Sequence, residues 1–366
     1  MVKRNICYRR FIQNTIKLYY HIMIPLTPSG SWKKAWRTCR KIFLCDKEML
    51  DRNLKRFRKR YKAGKHDMRS YRRTLIDFLL CYILFCVTAD EYFQYEWMSK
   101  GWLWRNHHVT IERRNYIDLV INDTDKTELL ANKVEFNKFY DRYIGRKWCD
   151  LKAATAEEFE DLFSDNKRII IKPRGRFGGV DIEAYDIDKT DLKKLHSIYL
   201  EKKGNYIAEE FLYQTGILHD INPDSLNTIR VTTLRDGNRI EILDGYYRCG
   251  CGSAVIDNFS GGGIIFPINI KNGKIYEGHS KSNIGIAKHP ITGINVKGTA
   301  VPDWEFIIDS IKNVHRMTPK GIDLVGWDTC IINGKLILIE GNSKPGYTTL
   351  YDPKNKLWQK FKRRFK

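Results

Sequence analysis

The sequence predicts an α+β protein rich in antiparallel strands, and three observations lead to that fold class. Residues 31–73 carry apolar side chains at helical intervals, which predicts amphipathic helices. From about residue 165 the apolar period changes to two, the period of a half-buried strand. Asp-Gly or Asn-Gly pairs at 236, 272 and 333 then predict three β-hairpins.

The composition is that of a folded protein whose positive charge is concentrated at its two ends. The chain has 366 residues, 42% hydrophobic and 13% aromatic, which is enough for two or three domains with buried cores. Of the net charge of +21, residues 1–73 contribute +18 and residues 354–366 contribute +7, so the remainder is near neutral at −4. The apolar content excludes disorder throughout the chain.

Two features bear on the cellular compartment. The N-terminal segment lacks the continuous apolar stretch of a signal peptide, and the nine cysteines contain no CxxC pair, so a cytoplasmic protein with reduced thiols is expected. Residues 78–89 form an apolar run shorter than the roughly twenty residues of a spanning helix. A buried helix is expected there, and a segment that dips into a membrane is the alternative.

Strands and helices are predicted in alternation over the rest of the chain. Strands at 168–173, 181–187 and 206–212 accompany a helix at 190–202, and hairpins follow at 228–247, 264–278 and 329–342. A helix within 303–319 is predicted to bury one face, formed by Phe306, Ile307, Ile311 and Val314.

The first stretch with chemical character is "IIIKPRGRFGG" at 169–179. A β-branched strand leads Lys172 and Arg174 into a loop that contains Gly178 and Gly179. Glycines let backbone amides approach phosphate oxygens closely, and lysine supplies a compact charge. The spacing fits no Walker or Rossmann motif, so by itself the stretch is a weak signal and an ordinary basic turn is the alternative.

The second stretch is the short strand "YIAEEFL" at 206–212. Such a strand can offer backbone N–H and C=O groups to an adenine edge while Phe211 or Leu212 covers the ring. Taken alone, it is also compatible with a plain strand.

The third stretch, "GWDTCIINGKLILIEGNSKPG", brings together Asp328, Glu340 and Asn342. These are hard oxygen ligands of the kind that Mg²⁺ prefers. A two-residue turn at 333–334 would pair Asp328 with Ile339 and turn it away from the other two ligands. A three-residue loop would pair Asp328 with Leu338 and keep it on their face, so the site requires that loop or a bulge.

Together these stretches resemble the ATP-grasp superfamily, and most closely its sugar-transfer-associated branch, which is related to alpha-L-glutamate ligases. The resemblance runs from about residue 90 to 353 and depends on seven motifs in the expected order. The motifs are "LLANKVEFNKFY", "IIIKPRGRFGG", "YIAEEFL", "SLNTIRVTTL", "SGGGIIFPI", "HPITG" and "GIDLVGWDTCIINGKLILIEGNSKPG".

The resemblance implies a fold of two β-rich lobes that clamp ATP. It divides the chain into a basic, mainly helical region at 1–128, a small lobe at 129–205, a large lobe with the magnesium site at 206–353, and a basic tail at 354–366. The residues that it assigns to ATP are Lys133, Lys172, Arg174, Gly178, Gly179, Glu209, Glu210, Phe211 and Leu212.

The implied chemistry is activation of a carboxylate by ATP as an acyl phosphate, which an amine then captures. The resemblance assigns Mg²⁺ to Asp328, Glu340 and Asn342, and catalysis to Arg230 and Lys172 with Asn227 beside them. A glycan-linked carboxylate or amine is the expected substrate. The alternatives are a sugar or alcohol kinase on the same scaffold, and a non-catalytic protein that binds a membrane or nucleic acid. No nucleic-acid-binding module appears, so no nucleic-acid partner is expected.

The C-terminal tail predicts a basic amphipathic helix. Trp358, Phe361 and Phe365 form one apolar stripe, and the other faces are basic, which is the pattern of a helix lying on an anionic membrane surface. Peripheral attachment to the inner face of the membrane is therefore expected. A stripe packed on the protein itself and a solvated tail are the alternatives.

Overall fold

The computed structural model describes residues 47–63, 70–175, 181–202, 205–251, 262–280, 283–346 and 357–364. The helices predicted before residue 47, and the loop glycines Gly178 and Gly179, lie outside the described residues. The chain divides into two compact units, a helical unit of residues 1–121 with 349–366 and a mixed unit of residues 122–348. None of the described helices combines the length and apolar character needed to cross a bilayer.

Helices dominate the first unit and frame the sheets of the second. They are α1 (Lys47–Ala63), α2 (Tyr71–Phe85), α3 (Ala89–Gln94), α4 (Trp102–His107), α5 (Ile111–Val120), α6 (Glu128–Ala131), α7 (Lys133–Phe139), α8 (Asp141–Ile144), α9 (Ala156–Phe163), α10 (Leu192–Glu201), α11 (Ile217–Ile221), α12 (Trp304–Met317) and α13 (Leu357–Arg364).

The described strands all belong to the mixed unit. They are β1 (Trp148–Asp150), β2 (Arg168–Pro173), β3 (Glu183–Asp186), β4 (Tyr206–Glu210), β5 (Thr228–Asp236), β6 (Arg239–Cys249), β7 (Ile264–Pro267), β8 (Gly278–His279), β9 (Ile284–Ile286), β10 (Leu324–Ile332) and β11 (Lys335–Asn342).

Aromatic side chains form the core of the helical unit. Phe57 of α1 stacks on Phe78 of α2 at 4.8 Å between ring centroids, and both contact Tyr92 of α3. The apolar run at 78–89 thus lies largely within α2, whose inner face is buried as predicted. Asp77 of α2 forms an ion pair of 2.7 Å with Arg105 of α4.

The C-terminal helix α13 also belongs to this unit. Trp358 and Phe361 are almost fully buried, and the guanidinium of Arg113 lies 4.6 Å from the Trp358 ring centroid. The prediction that these two aromatic side chains enter a membrane is therefore wrong, because the unit's own helices already cover them. Phe365 lies outside the described residues.

The smaller sheet of the mixed unit is antiparallel, with the order β1-β4-β2-β3. Phe159 and Phe163 of α9 and Leu195 and Tyr199 of α10 form its core together with Ile169 and Ile171. Because β4 is a central strand of this sheet, the change from one sheet to the other comes after residue 210 and not at the predicted boundary of 205.

The larger sheet has seven strands in the order β11-β10-β5-β6-β7-β8-β9. One face packs on α12 through Ile307, Ile311 and Val314. Phe306 was predicted to share that face but is 46% exposed. The hairpin predicted at 264–278 forms with irregular pairing, since Ile268 and Ile275 form an isolated bridge and Ile265 of β7 pairs with His279 of β8.

The hairpin of β10 and β11 has a two-residue turn and a bulge. Ile332 pairs with Lys335 across that turn, and Asn333 and Gly334 both adopt positive φ angles. The register then shifts by one residue between Asp328 and Thr329. Asp328 consequently pairs with Glu340, and neither of the partners considered from the sequence is correct.

Candidate active site

Two carboxylates face each other at the open end of the β10–β11 hairpin. Since directly opposed residues share one face of a sheet, the bulge brings Asp328 and Glu340 side by side. The next pair on the same face is Gly326 and Asn342, and the Asn342 amide donates a hydrogen bond of 2.9 Å to Glu340 Oε1. The three predicted magnesium ligands therefore lie together.

The arginines of the neighbouring strands complete this site. Arg230 of β5 lies opposite Asp328 and donates to both of its carboxylate oxygens, and Arg248 of β6 donates to Oδ2 at 2.8 Å. Nη2 of Arg230 also lies 3.8 Å from Glu340 Oε1. We call Asp328, Glu340, Arg230 and Arg248 the acid-pair cluster, in which two acids face two cations.

The electrostatics of the acid-pair cluster fit a cation. Burial and the neighbouring charge of Asp328 raise the pKa of Glu340. Burial also acts to raise the pKa of Asp328, but the two arginines outweigh it and hold that pKa below its usual range. A divalent ion would offset the repulsion between the carboxylates, and two carboxylates with an amide form an oxygen donor set suited to Mg²⁺. In the described part of the chain, no cluster of three or more His, Cys, Asp or Glu side chains suits a metal ion, so the Asn342 amide is needed for a three-ligand set.

The glycine within "EGN" is explained by packing. A Cβ atom on Gly341 would lie 2.9 Å from Leu130 and 3.1 Å from Phe136, which pack against the opposite face of β11. Gly341 therefore allows the hairpin to be covered on its core side. On the face of the acids, a Cβ atom on Gly326 would lie 2.8 Å from Pro345 and 3.1 Å from the Arg230 side chain.

A second charged cluster surrounds Glu209 on the smaller sheet. Its carboxylate accepts hydrogen bonds from Arg146 at 2.8 and 3.0 Å and from Asn137 at 3.0 Å, and forms an ion pair of 2.7 Å with Lys172. We call Glu209, Lys172, Arg146 and Lys133 the lysine cluster. Burial alone would raise the pKa of Glu209, but Arg146 and Lys172 lower it strongly, so the residue is an anion.

Both candidate phosphate-binding lysines are buried. Burial lowers the pKa of Lys172 to about 8, with Glu209 opposing the shift and Arg146 and Lys133 adding to it. Burial also lowers the pKa of Lys133, which is influenced by the charges of both Glu340 and Glu209. Lys133 therefore links the two clusters electrostatically. Its backbone N–H bonds the carbonyl of Arg174 at 3.0 Å, which holds the start of α7 beside the end of β2.

Backbone groups of the predicted adenine-binding strand β4 already form hydrogen bonds within the protein. β4 pairs with β1 and β2, and the N–H groups of Glu210 and Phe211 bond the carbonyls of Lys147 and Arg168. Adenine contacts at Phe211 and Leu212 stay a prediction. Since the N–H groups of Glu210 and Phe211 are bonded within the protein, a backbone donor to adenine would come from Leu212 or a later residue. The guanidinium of Arg168 lies 4.9 Å from the Phe211 ring centroid.

Two predicted site residues bond to other parts of the fold. Asn227 is fully buried, its amide donates to the carbonyls of Leu218 and Asn222, and its Oδ1 accepts a bond from Ser225. The Arg174 side chain donates to Asp150 at 3.1 Å.

Sequence reasoning missed three side chains that touch the key carboxylates. They are Asn137, Arg146 and Arg248. Arg146 also donates to the carbonyl of Leu338 at 2.7 Å, so it joins β4 of the smaller sheet to β11 of the larger one. Arg248 lies two residues after Tyr246 on the same face of β6, but Tyr246 pairs with Arg230 only because of the bulge between Thr232 and Thr233, so no sequence pattern indicated Arg248.

Comparison with known proteins agrees with this architecture. Residues 113–352 match the model of the sugar-transfer associated ATP-grasp family, and the chain belongs to that family. No curated protein matches the sequence.

The similar solved structures are distant. An L-amino acid ligase from Bacillus licheniformis is 11% identical with a TM-score of 0.38, covering 65% of this chain and 47% of its own. An N5-carboxyaminoimidazole synthase from Aspergillus clavatus is 11% identical with a TM-score of 0.37, covering 63% and 49%. A D-cycloserine synthetase is 10% identical with a TM-score of 0.42, covering 67% and 74%. The chain thus spans about half the length of the first two.

Proposed function

We propose that this protein is an ATP-dependent carboxylate–amine ligase. The observation that carries the proposal is the pairing of two clusters within one ATP-grasp unit, one with a surplus of buried cations and one with a pair of carboxylates beside two arginines. Polyphosphate suits the first cluster, and a divalent ion together with a reacting carboxylate suits the second.

The chain's own residues would act by positioning and by charge. Lys172 and Lys133 would hold the nucleotide phosphates, and Asp328, Glu340 and Asn342 would hold Mg²⁺, which when bound neutralises charge on the transferring phosphoryl group. Arg230 and Arg248 would orient the substrate carboxylate, whose oxygen attacks the γ-phosphorus as ADP leaves. The amine then attacks the carbonyl of the acyl phosphate, and phosphate and a proton depart.

We propose a glycan-linked substrate, at the inner face of the cytoplasmic membrane where lipid-linked glycans are assembled. The family's association with sugar transfer supports this substrate class. Because Trp358 and Phe361 are buried, the apolar part of such an attachment requires another surface.

The test is product analysis with the full chain, ATP and Mg²⁺ against a panel of amino acids and glycan precursors. Release of ADP and phosphate with a new amide mass supports a ligase. A phosphorylated acceptor without free phosphate would indicate a kinase, and the absence of nucleotide binding would indicate a non-catalytic protein.

A further inference from the structure

Helix α2 of the helical unit is apolar on two opposite faces. Its inner face, with Phe78, Cys81 and Phe85, is buried in the aromatic core. On the other side, Ile76 is 59% exposed and Leu80 is 46% exposed. A helix that is apolar all round is normally covered on both sides, so the outer side lacks a partner in the described part of the chain.

Basic side chains extend this outer face at its N-terminal end. Residues three and four apart share a helix face, so Arg72 and Arg73 continue the line of Ile76, Leu80 and Ile83. Both arginines are exposed, and Ile83 is half-buried. We call these five residues the outer stripe of α2.

Exposed apolar side chains also occur at the start of α4. Trp102 is 49% exposed and Leu103 is 72% exposed. The Trp102 ring contacts Phe85, the last residue of α2, at 5.0 Å between centroids. Because Phe85 belongs to the buried inner face of α2, Trp102 is not part of the outer stripe.

The charge of the unit indicates the chemistry of its partner. Residues 1–121 and 349–366 contain 33 lysines and arginines against 11 acids, a net charge of +22, whereas residues 122–348 carry −1. The exposed basic side chains of α1 are Arg52, Lys55, Arg56, Arg58, Lys59, Arg60 and Lys62.

We infer that the outer stripe of α2 is a docking surface for an anionic lipid bilayer. Exposed aliphatic side chains suit the acyl boundary, and flanking arginines can extend to lipid headgroups. A second copy of the unit would bring two charges of +22 together, and a nucleic acid would leave the apolar side chains without a partner. The inference rests on the membrane location proposed above and identifies the surface responsible for it. Vesicle binding is measured without nucleotide, so its result is independent of the ligase reaction.

The experiment is vesicle flotation of the full chain with phosphatidylglycerol–phosphatidylcholine vesicles and with pure phosphatidylcholine. We expect binding to the anionic vesicles only, and a loss of about tenfold in partition coefficient for the double variant I76S/L80S, because two inserted aliphatic side chains are removed. The matched control is I198S/L200S on α10 of the mixed unit, where the two side chains are 42% and 52% exposed. R72Q/R73Q should also weaken binding, and K193Q/K194Q, which removes the same charge from α10, should leave it unchanged.

Three outcomes would overturn the inference. They are equal binding to neutral and anionic vesicles, an I76S/L80S variant that binds as well as its control, and a change from dimer to monomer in that variant by light scattering, which would identify a second copy as the occupant. Since the altered side chains are exposed, we expect the melting temperature to stay within about 3 °C of the unaltered protein.

Discussion

The lysine cluster and the acid-pair cluster differ in charge balance. Glu209 faces Lys172 and Arg146, with Lys133 within electrostatic reach, so one acid accompanies three cations. Asp328 and Glu340 face Arg230 and Arg248, so charges are balanced but two acids are adjacent.

The difference separates two tasks. A surplus of buried cations favours a bound polyanion, since the anion supplies the negative charge that the cluster lacks. An adjacent pair of carboxylates favours a small cation for the same reason. We therefore expect changes in the acid-pair cluster to act on turnover and changes in the lysine cluster to act on nucleotide affinity.

The largest effect is expected from Glu340→Gln. Loss of one of the two carboxylates should lower ATP turnover by about 1,000-fold, because charge stabilisation during phosphoryl transfer depends on the held cation. Coupled measurement of ADP release checks this. Glu241→Gln, on β6 of the same sheet, is the control and should keep normal turnover. A Glu340→Gln enzyme with near-normal turnover would remove the magnesium assignment.

The second prediction, Arg230→Ala, also concerns the acid-pair cluster. We expect turnover to fall by about 100-fold while ADP affinity changes by less than about threefold, because we propose that Arg230 orients the reacting carboxylate and does not hold the nucleotide phosphates. Isothermal titration with ADP and steady-state kinetics on the same preparation provide the two readings. If affinity and turnover fell equally, Arg230 would be reassigned to ATP binding.

Lys172→Met should give the opposite pattern. Removing a buried charged donor should weaken ADP binding by about 30-fold, the equivalent of about 2 kcal/mol for a charge-assisted hydrogen bond. Lys189→Met, on the exposed turn after β3, is the control and should bind normally. Normal ADP affinity with lost activity would instead indicate that Lys172 contacts the second substrate.

The smallest effect is a pH dependence of nucleotide binding. Burial lowers the pKa of Lys172 to about 8, so the nucleotide-free protein loses this charge as the pH rises above that value. ADP affinity should therefore decline above about pH 8, by at most about tenfold per pH unit, and the decline should be weaker in Lys172→Met. In the same range the unfolded chain still binds the proton, so the contribution of Lys172 to the free energy of unfolding should rise with pH. Isothermal titration with ADP and denaturant unfolding, both measured from pH 6.5 to 9.5, test these two trends. An ADP affinity that does not change with pH would contradict the first.

The sequence by itself determined the local elements. β2 spans the predicted "RIIIKP", α10 lies within the predicted 190–202, and the turns near 236 and 333 form because Asn and Gly tolerate positive φ. The candidate oxygen ligands could also be proposed from the sequence, because the donor chemistry of each belongs to a single side chain. Short-range patterns are sufficient wherever the controlling interaction is local.

Only the tertiary structure decided which side chains meet. The bulges between Thr232 and Thr233 and between Asp328 and Thr329 each shift a register by one residue, and so set Tyr246 and Glu340 opposite Arg230 and Asp328. A shift of this kind depends on packing against both faces of the sheet, which period-two alternation does not encode. The partners of Glu209 come from positions 137, 146 and 172, and their convergence is a consequence of the assembled sheets and helices. The burial of Trp358 was decided in the same way, because an amphipathic stripe specifies an apolar neighbour but not whether that neighbour is a lipid or the protein's own core.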